Sequence, residues 1–353
     1  MSNVVVMLGI YNVEKTIIRT LDSIIDQDFD SYRVIISENH STDRTKEILS
    51  SYSNKITIIS PPSHFCGEEH WNFCLDYLER LEDADYAALY HGDDIYDKSI
   101  IGSQIKFLNE NPDAPMVFTD ALIVDEDYST IGWSYSRRKG LLSSKYTLEE
   151  VLYGMISSEV TCICPTAMIR LNILRKEKRY RFNPTMFSKA ADYGLWLEII
   201  GDYGCVGILH RPLVKYRKCS TSDSASTAAS LEESPAFKIV THYIGVNGEY
   251  KYSGWRWGAH IERIQVQDYL RQLKNAIRLE IYPRELIAPR LTVRYVLISA
   301  SSLSGIYNLL TLLFVKLIFG FVPRSKFRTK VIDLSLNQGF VIFTRKVRHF
   351  FSR

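Results

Sequence analysis

The first 120 residues alternate between apolar runs of strand length and segments with helical spacing, and this alternation restricts the fold more than any other feature. Val4–Ile10 is a continuous apolar run, as expected for a strand buried on both faces. Glu14–Gln27 follows with apolar residues at helical spacing. The pattern then repeats, with predicted strands at 33–37, 55–60 and 86–90 and predicted helices at 42–52, 68–81 and from Lys98 onward. Such alternation predicts an α/β fold, a mostly parallel Rossmann-like sheet with helices on both faces.

The pattern continues less regularly after residue 115. Met116–Val124 and Cys162–Arg170 are strand-like, and a Ser- and Lys-rich stretch lies between them. A helix at Lys189–Ile200 and a strand at Cys205–Leu209 come next. The Ser/Ala/Thr-rich residues 220–234 indicate a linker or lid. We therefore expect an α/β domain at 1–220 and a helical C-terminal extension at 221–353.

The overall composition is that of an ordinary globular protein. The chain has 353 residues, 46% hydrophobic and 24% charged, with a formal net charge of +3. This net charge is too small to predict a nucleic-acid partner. The six cysteines form no zinc-type pair of CxxC motifs, so we expect reduced thiols in a cytoplasmic protein. The N-terminus lacks the basic region of a signal peptide and is interpreted as the first strand.

Basic residues and one long apolar segment distinguish the C-terminal region. From residue 284 onward, twelve Lys and Arg residues face only two acidic ones, Glu285 and Asp333. Leu303–Val322 carries a single charge, Lys316, over a length that can span a hydrocarbon core. A buried core helix is one interpretation, but a helix lying in the membrane interface fits best. We expect peripheral contact with the inner face of the plasma membrane through 303–322 and the basic residues.

Two adjacent carboxylates, Asp93 and Asp94, follow the predicted strand at 86–90. The C-terminal edge of strands is where open α/β sheets bind ligands. Like charges are unfavourable there unless a divalent cation and phosphate oxygens share the site. From these residues alone, a solvated turn that caps the next helix is an equally good interpretation.

Three further polar stretches follow the other predicted strands, at 9–14, 38–43 and 65–67. Tyr11, in the first of them, can stack on a nucleobase or simply pack at a turn. In order and spacing, these stretches together with the Asp pair resemble family-2 glycosyltransferases of the GT-A fold. The resemblance covers about residues 1–220.

The resemblance implies a role for each residue in these stretches. The implied nucleotide-binding residues are Gly9, Tyr11, Glu14, Asn39 and Asp93. Asp93 would contact the ribose, and Asp94, with Asp93, would hold Mn²⁺ or Mg²⁺ at the diphosphate. Asn39 stands where the family has a carboxylate that reads uracil, and its amide could still accept the uracil N3–H. Asp43 is expected to cap the following helix.

The resemblance also places a catalytic base and a diphosphate clamp. Residues 189–197 resemble a Glu-Asp-x-x-x-Trp segment in which Asp192 is the base, although a first-turn Asp is also favoured by the helix dipole alone. Trp196 would be core or an acceptor platform. Residues 214–220 resemble a Tyr-Arg-x-His segment, so Arg217 and Lys218 would contact the diphosphate.

Three positions depart from the family pattern. His91 replaces an Asp and would weaken the metal site or face solvent; Ala191 replaces a Glu, and Cys219 a His. The implied function is inverting, metal-dependent transfer from a nucleotide-diphosphate sugar, with a UDP-sugar favoured. The acceptor would be a saccharide or lipid-linked hydroxyl in surface-polysaccharide synthesis. A non-catalytic sugar-nucleotide-binding scaffold is the alternative. A nucleotidylyltransferase fits less well because 9–13 is not a Gly-rich basic loop.

Overall fold

The computed structural model describes residues 3–133, 144–157, 160, 162–187 and 190–219, and in the C-terminal region 238–239, 242–243, 265–272 and 275. The chain divides into two compact units, Met1–Ser222 and Asp223–Arg353. Residues 265–272 are helical. The predicted membrane-associating segment 303–322 lies outside the described residues. Within those described, no helix combines the length and the apolar character needed to cross a membrane.

Ten strands and eight helices follow one another in the described part of the first unit. The strands are β1 Val4–Ile10, β2 Tyr32–Glu38, β3 Ile56–Ile59, β4 Tyr86–Tyr90, β5 Ile95–Tyr96, β6 Met116–Val124, β7 Thr130–Trp133, β8 Ser144–Tyr146, β9 Ala167–Arg170 and β10 Val206–Arg217. The helices are α1 Ile17–Ile25, α2 Thr45–Ser50, α3 Gly67–Glu79, α4 Ile100–Glu110, α5 Leu148–Ser157, α6 Leu171–Lys176, α7 Pro184–Phe187 and α8 Ala191–Tyr203. A 3₁₀ turn at Cys164–Thr166 precedes β9.

The strands form one sheet in the order β3-β2-β1-β4-β9-β6-β10-β5, with β7 on β6 and β8 on β10. The first four strands in this order are parallel, as the sequence predicts. In the second half only β6 and β10 run parallel, and β9 pairs antiparallel with both β4 and β6. The fold is therefore α/β as expected, with a sheet that is parallel over its first four strands and mixed beyond them.

Strand β1 is the centre of the parallel half. Residues 4–8 are each at most 2% exposed, so both faces of the sheet are covered here, which explains the continuous apolar run. In register, Ile10 pairs with Glu38 of β2, and Leu8 pairs with Tyr90 of β4. The residues that follow these three strands consequently lie at the same edge of the sheet.

Two predicted boundaries after residue 160 were wrong. Only the last four residues of the expected strand at 162–170 are β, because Pro165 lacks the N–H that a ladder position needs and sits in the 3₁₀ turn. Strand β10 runs to Arg217 instead of ending at Leu209. Register shifts between Leu209 and Val214 accommodate Pro212, so that the pairing of β10 with β6 continues past it. This extension brings Arg217 alongside Val124, near the metal-motif loop.

Trp196 belongs to the core. Its side chain is fully buried, with ring centroids 5.6 Å from Phe118 and 5.8 Å from Phe182 in edge contacts. We expect Trp196→Ala to lower the free energy of unfolding by about 3–5 kcal/mol, because a large buried ring leaves a cavity. Urea denaturation followed by circular dichroism measures this, with Trp196→Phe as a control of smaller effect. A loss under about 1 kcal/mol would contradict the core assignment.

Candidate active site

The loop His91–Asp94 connects β4 to β5, and hydroxyl groups hold its backbone. Every carbonyl of the loop accepts a hydrogen bond from a side-chain hydroxyl. The donors are Tyr96 to His91 (3.4 Å), Thr16 to Gly92 (2.9 Å), Tyr128 to Asp93 (3.0 Å) and Thr20 to Asp94 (2.8 Å). Because its carbonyls are occupied, the loop presents side chains rather than backbone oxygens to a ligand, and its shape is set in advance.

Gly92 permits this loop to pass close to β1. A Cβ at this position would lie 2.8 Å from Cγ2 of Ile10, which is too close for any side chain without a shift. Gly92 does not stand out in the sequence as a residue with a structural role. The only available signal was its place beside the Asp pair, directly after a strand.

The side chains of His91, Asp93 and Asp94 come together in the loop. One potential ligand atom from each lies within 4.8 Å of the others. Asp94 is fully buried; its Oδ1 accepts the backbone N–H of Arg217 at 2.8 Å, while its Oδ2 has no partner among the described residues. Nε2 of His91 is also buried without a partner there. Two unsatisfied buried ligand atoms beside a second carboxylate fit a divalent cation.

The local electrostatics agree with this fit. Burial, and then the charge of Asp93, raise the pKa of Asp94 well above its ordinary value. Burial lowers the pKa of His91, with the charge of Asp93 opposing. Of the two alternatives for His91, the structure does not favour a ring that faces solvent, since the ring packs 5.7 Å from Trp71 and its Nε2 is buried.

Arg217 reaches this loop from the end of β10. Its Nη1 lies 3.8 Å from Oδ2 of Asp93, its Nε donates to the carbonyl of Glu126 at 3.4 Å, and its guanidinium carbon is 6.0 Å from the Tyr128 ring centroid. The guanidinium is thus within reach of any anionic group at the carboxylates. The next residue, Lys218, is exposed and donates its N–H to the carbonyl of Val124.

Asp192 is a half-buried carboxylate in the first turn of α8. Burial raises its pKa to about 6, against the lowering effect of backbone hydrogen bonds from Tyr193 and its own N–H. Glu68, which the sequence analysis missed, adds a smaller raising effect. After the larger effect of burial, both Asp192 and Asp94 raise the pKa of the Cys164 thiol. The charges of both carboxylates are therefore felt at this buried thiol.

Gly9 and Tyr11 lie at the end of β1, on the side of the site formed with β2. A Cβ on Gly9 would sit 3.4 Å from Cε1 of His70, so the strand passes close to α3 here. The Tyr11 ring is 42% exposed, and its centroid lies 4.5 Å from that of His64 in a tilted pair. These two exposed rings offer an aromatic surface on which a base can stack. His64 gave no sequence signal, because its approach to Tyr11 depends on the path of the loop after β3.

The side chain of Asn39 is engaged inside the protein. Its Oδ1 accepts the backbone N–H of Phe65 and its Nδ2 donates to the Phe65 carbonyl, both at 2.9 Å. Nδ1 of His64 lies 3.0 Å from the Asn39 carbonyl, so the same residue also positions that ring. Contact between this amide and a uracil would require the protein to give up two hydrogen bonds. The arrangement instead favours Asn39 as the residue that fixes the 64–65 loop.

Replacing Asn39 should therefore destabilise the domain. We expect Asn39→Ala to cost about 1–3 kcal/mol of unfolding free energy, because the Phe65 N–H and carbonyl lose their partners. Asn39→Asp keeps the acceptor and loses the donor, so its cost should be smaller. Chemical denaturation of the three proteins measures the difference. An alanine variant as stable as the wild type would contradict this role.

The carboxylates of Glu14 and Asp43 accept hydrogen bonds from backbone N–H groups of each other's chain segments and do not face an open site. Oε2 of Glu14 accepts the N–H of Arg44 at 2.9 Å, ahead of α2. Asp43 accepts the N–H groups of Glu14 (3.1 Å) and Thr45 (3.0 Å). Asp43 thus accepts the first backbone N–H of α2, the contact expected of a capping residue, from the position before the N-cap residue Arg44. The Glu14 carboxylate likewise accepts a backbone N–H just before α2. Its position is therefore explained without any contact to a nucleotide.

Comparison with known proteins gives this arrangement a family. The model of the family described as "Glycosyl transferase family 2" matches residues 5–178. The matched region, residues 5–178, belongs to glycosyltransferase family 2. Relatives named as glycosyltransferases include EpsE of Bacillus subtilis, 30% identical over 125 residues, which are 34% of this chain and 44% of EpsE. The chain thus spans less than half of EpsE. An uncharacterized glycosyltransferase of Methanocaldococcus jannaschii is 22% identical over 67% of this chain and 78% of its own length.

Solved structures agree on the fold of this family-2 domain. Crystal structures of S. aureus TarS 1-349 in complex with UDP-GlcNAc and with UDP superpose with TM-scores of 0.58 and 0.56. The first covers 80% of this chain and 77% of TarS 1-349 at 17% identity; the second covers 96% and 92% at 14% identity. These matches indicate the GT-A fold.

The family match ends at residue 178, before three of the expected site residues. Asp192, Arg217 and Lys218 lie beyond it, so their assignment depends on the geometry of α8 and β10. The structure brings Arg217 directly to Asp93 and Asp94, and the charges of Asp192 and Asp94 both raise the pKa of the Cys164 thiol. Lys218 makes no described side-chain contact with this group. Its role remains a prediction.

Proposed function

We propose that this family-2 domain is an inverting glycosyltransferase that uses a nucleotide-diphosphate sugar as donor. The observation that carries the proposal is the cluster of His91, Asp93 and Asp94, with the Arg217 guanidinium 3.8 Å from Asp93. Asp94 is fully buried beside Asp93 and Arg217, as a diphosphate and cation site requires. Asp192, with a pKa of about 6, is ionised at neutral pH and still basic enough to accept a proton.

The nucleotide would bind along the edge formed by β1, β2 and β4. Its base would stack against Tyr11 and His64, and Asp93 would contact the ribose. We favour a UDP-sugar, because TarS, which has the same fold, was solved with UDP-GlcNAc and with UDP. Because the Phe65 N–H and carbonyl are both bonded to the Asn39 side chain, recognition of the base would depend on stacking against Tyr11 and His64 rather than on the Asn39 amide.

A cation, Mn²⁺ or Mg²⁺, would be held by Asp94 and Asp93. When bound, such an ion neutralises charge on the diphosphate. The positions of the unpartnered Oδ2 of Asp94 and the hydroxyl-held backbone support this placement. Arg217 would add a second positive charge close to Asp93, on the side of Tyr128.

Asp192 would serve as the general base. It would take the proton from an acceptor hydroxyl as that oxygen attacks the anomeric carbon. The bond from that carbon to the diphosphate oxygen breaks in the same step, and its electron pair leaves with the nucleoside diphosphate. Arg217 would stabilise the charge that develops on this leaving group. A single displacement of this kind inverts the configuration of the sugar.

We further propose that the acceptor is a saccharide or lipid-linked saccharide of a surface polysaccharide, met at the inner face of the plasma membrane. The support is the sequence of the C-terminal region, in which basic residues flank the apolar segment 303–322. We expect the full chain to sediment with anionic vesicles but not with neutral ones. Changing Arg324, Lys326, Arg328 and Lys330 to Gln should weaken its binding to the anionic vesicles. Equal binding to both vesicle types would contradict an electrostatic contribution.

Calorimetric titration with UDP, GDP, CDP and dTDP, each with and without Mn²⁺, tests the donor site. We expect one nucleotide, UDP, to bind tightly and only with the metal. The matching UDP-sugar should then be consumed when acceptor-containing membrane extract is added, with release of UDP. Binding of none of the four would contradict the proposal, whereas binding without any transfer would favour the sugar-nucleotide-binding scaffold.

A further inference from the structure

His91 occupies a position that the family pattern assigns to an aspartate, and its side chain points to a role of its own. We propose that Nε2 of His91 is a direct ligand of the divalent cation, which makes the site a mixed nitrogen and oxygen site. This would shift its preference from Mg²⁺ toward Mn²⁺ and other transition-metal ions. The inference depends on the proposed function only in assuming that a cation binds at Asp94.

The first support is the position of Nε2. This atom is buried and has no hydrogen-bond partner among the described residues, which is unfavourable for a polar atom unless a ligand occupies it. A ring nitrogen of His91 belongs to the group of three potential ligand atoms that lie within 4.8 Å of one another, together with one oxygen each of Asp93 and Asp94. Oδ2 of Asp94 is unpartnered in the same way. The two residues with unsatisfied atoms therefore belong to one cluster.

The second support is how firmly the residue is held. The His91 N–H donates to the Tyr96 hydroxyl at 2.8 Å, and that hydroxyl donates back to the His91 carbonyl at 3.4 Å. Tyr96 in turn stacks on Tyr90 with ring centroids 3.8 Å apart and planes 12° apart. The indole of Trp71 lies over the imidazole at 5.7 Å. Contacts to backbone and ring thus position this imidazole, as is typical of a preorganised ligand.

The expected selectivity follows from ligand chemistry. Mg²⁺ strongly prefers oxygen ligands in near-ideal octahedral geometry. Imidazole binds transition-metal ions more strongly, and affinity rises from Mn²⁺ to Co²⁺ along the first row. Exchanging one carboxylate for an imidazole also removes a negative charge from the site. All these effects disfavour Mg²⁺ relative to a site built from three aspartates.

Pulsed electron paramagnetic resonance of the full chain with Mn²⁺ and UDP tests for the ligand directly. We expect a ¹⁴N modulation from a directly bound imidazole, which changes to the ¹⁵N pattern when the protein is grown with ¹⁵N-histidine. This arm needs no substitution and so does not depend on a variant folding. The modulation should disappear in His91→Gln and His91→Asp and persist in His40→Asn, which removes an imidazole outside the loop.

Calorimetry on the same proteins tests selectivity. We expect the wild type to bind Mn²⁺ in the presence of UDP at least about tenfold more tightly than Mg²⁺, and His91→Asp to narrow that ratio. Mn²⁺ binding that is lost in Asp94→Asn but shows no histidine nitrogen would overturn this inference and leave the proposed metal site intact. Absence of Mn²⁺ binding to the wild type, with or without UDP, would overturn both.

Discussion

Replacement of Asp192 by Asn should reduce sugar transfer by about 10²- to 10⁴-fold while leaving the affinity for UDP and Mn²⁺ nearly unchanged. Asparagine has the same shape but cannot accept the proton of the acceptor hydroxyl, so only the chemical step should suffer. Transfer measured as release of UDP and binding measured by calorimetry separate the two effects. Glu198→Gln is a suitable control, because this acidic residue of α8 pairs with Arg179 outside the site. Full transfer activity in Asp192→Asn would show that the base assignment is wrong.

The pH dependence of the wild type should follow the same carboxylate. Burial raises the pKa of Asp192 to about 6, and only the ionised form can act as a base. The rate at saturating substrate should therefore be constant above about pH 7 and fall tenfold per pH unit below 6. A profile flat down to pH 5 would contradict this environment for the base.

The same pKa has a consequence for stability. In the unfolded chain Asp192 has its ordinary pKa near 4, so the folded state holds the proton more tightly. The favourable contribution of the protonated form is complete below pH 4 and is lost as the pH rises through 6. We expect Asp192→Asn to melt at a higher temperature than the wild type at pH 7.5, with a smaller difference at pH 5. This combination of greater stability and lost activity is typical of a functional carboxylate.

Replacement of Asp94 by Asn should remove the contribution of the metal to nucleotide binding. The amide can still accept the Arg217 N–H through its oxygen, so the loop should keep its conformation. It offers an uncharged and weaker ligand to the cation in place of a carboxylate. We expect the increase in UDP affinity on adding Mn²⁺ to fall about tenfold or more, and transfer to fall with it. Calorimetric titration of UDP with and without Mn²⁺ measures both affinities.

Asp97→Asn provides the matched control for this experiment. Asp97 is exposed and accepts hydrogen bonds from Ser99 at the start of α4, three residues after Asp94. Removing its charge changes the local electrostatics without removing a ligand. The metal effect on UDP binding should survive in this variant. An undiminished metal effect in Asp94→Asn would mean that the cation, if it binds, is held elsewhere.

Local patterns were sufficient to predict the parallel half of the sheet. Strand β1 is buried on both faces and therefore apolar at every position, and the polar residues that follow β1, β2 and β4 share one edge because those strands are parallel. Long-range pairing was not predictable in this way. β9, a four-residue strand inserted antiparallel between β4 and β6, carries no periodicity of its own that would reveal its partners.

The candidate site, like the sheet, was predictable from sequence only where neighbouring residues determine the arrangement. Asp93, Asp94 and Arg217 were predicted and meet in the structure. The roles of Asn39 and His91 depend on partners up to 26 residues away in sequence and on burial, which no local pattern contains. Glu14 was assigned to the nucleotide, but its carboxylate bonds to a backbone N–H 30 residues away.

The hydroxyl contacts to the loop His91–Asp94 bear on how this protein could be altered. Thr16 and Thr20 lie four residues apart at the start of α1, about 6 Å along a helix, and they hold two carbonyls that are two residues apart. The helix therefore acts as a template for the loop. Grafting the metal motif of another transferase onto this scaffold would transplant side chains without their template. A chimaeric protein should therefore exchange helix α1 and the loop together, as one structural unit.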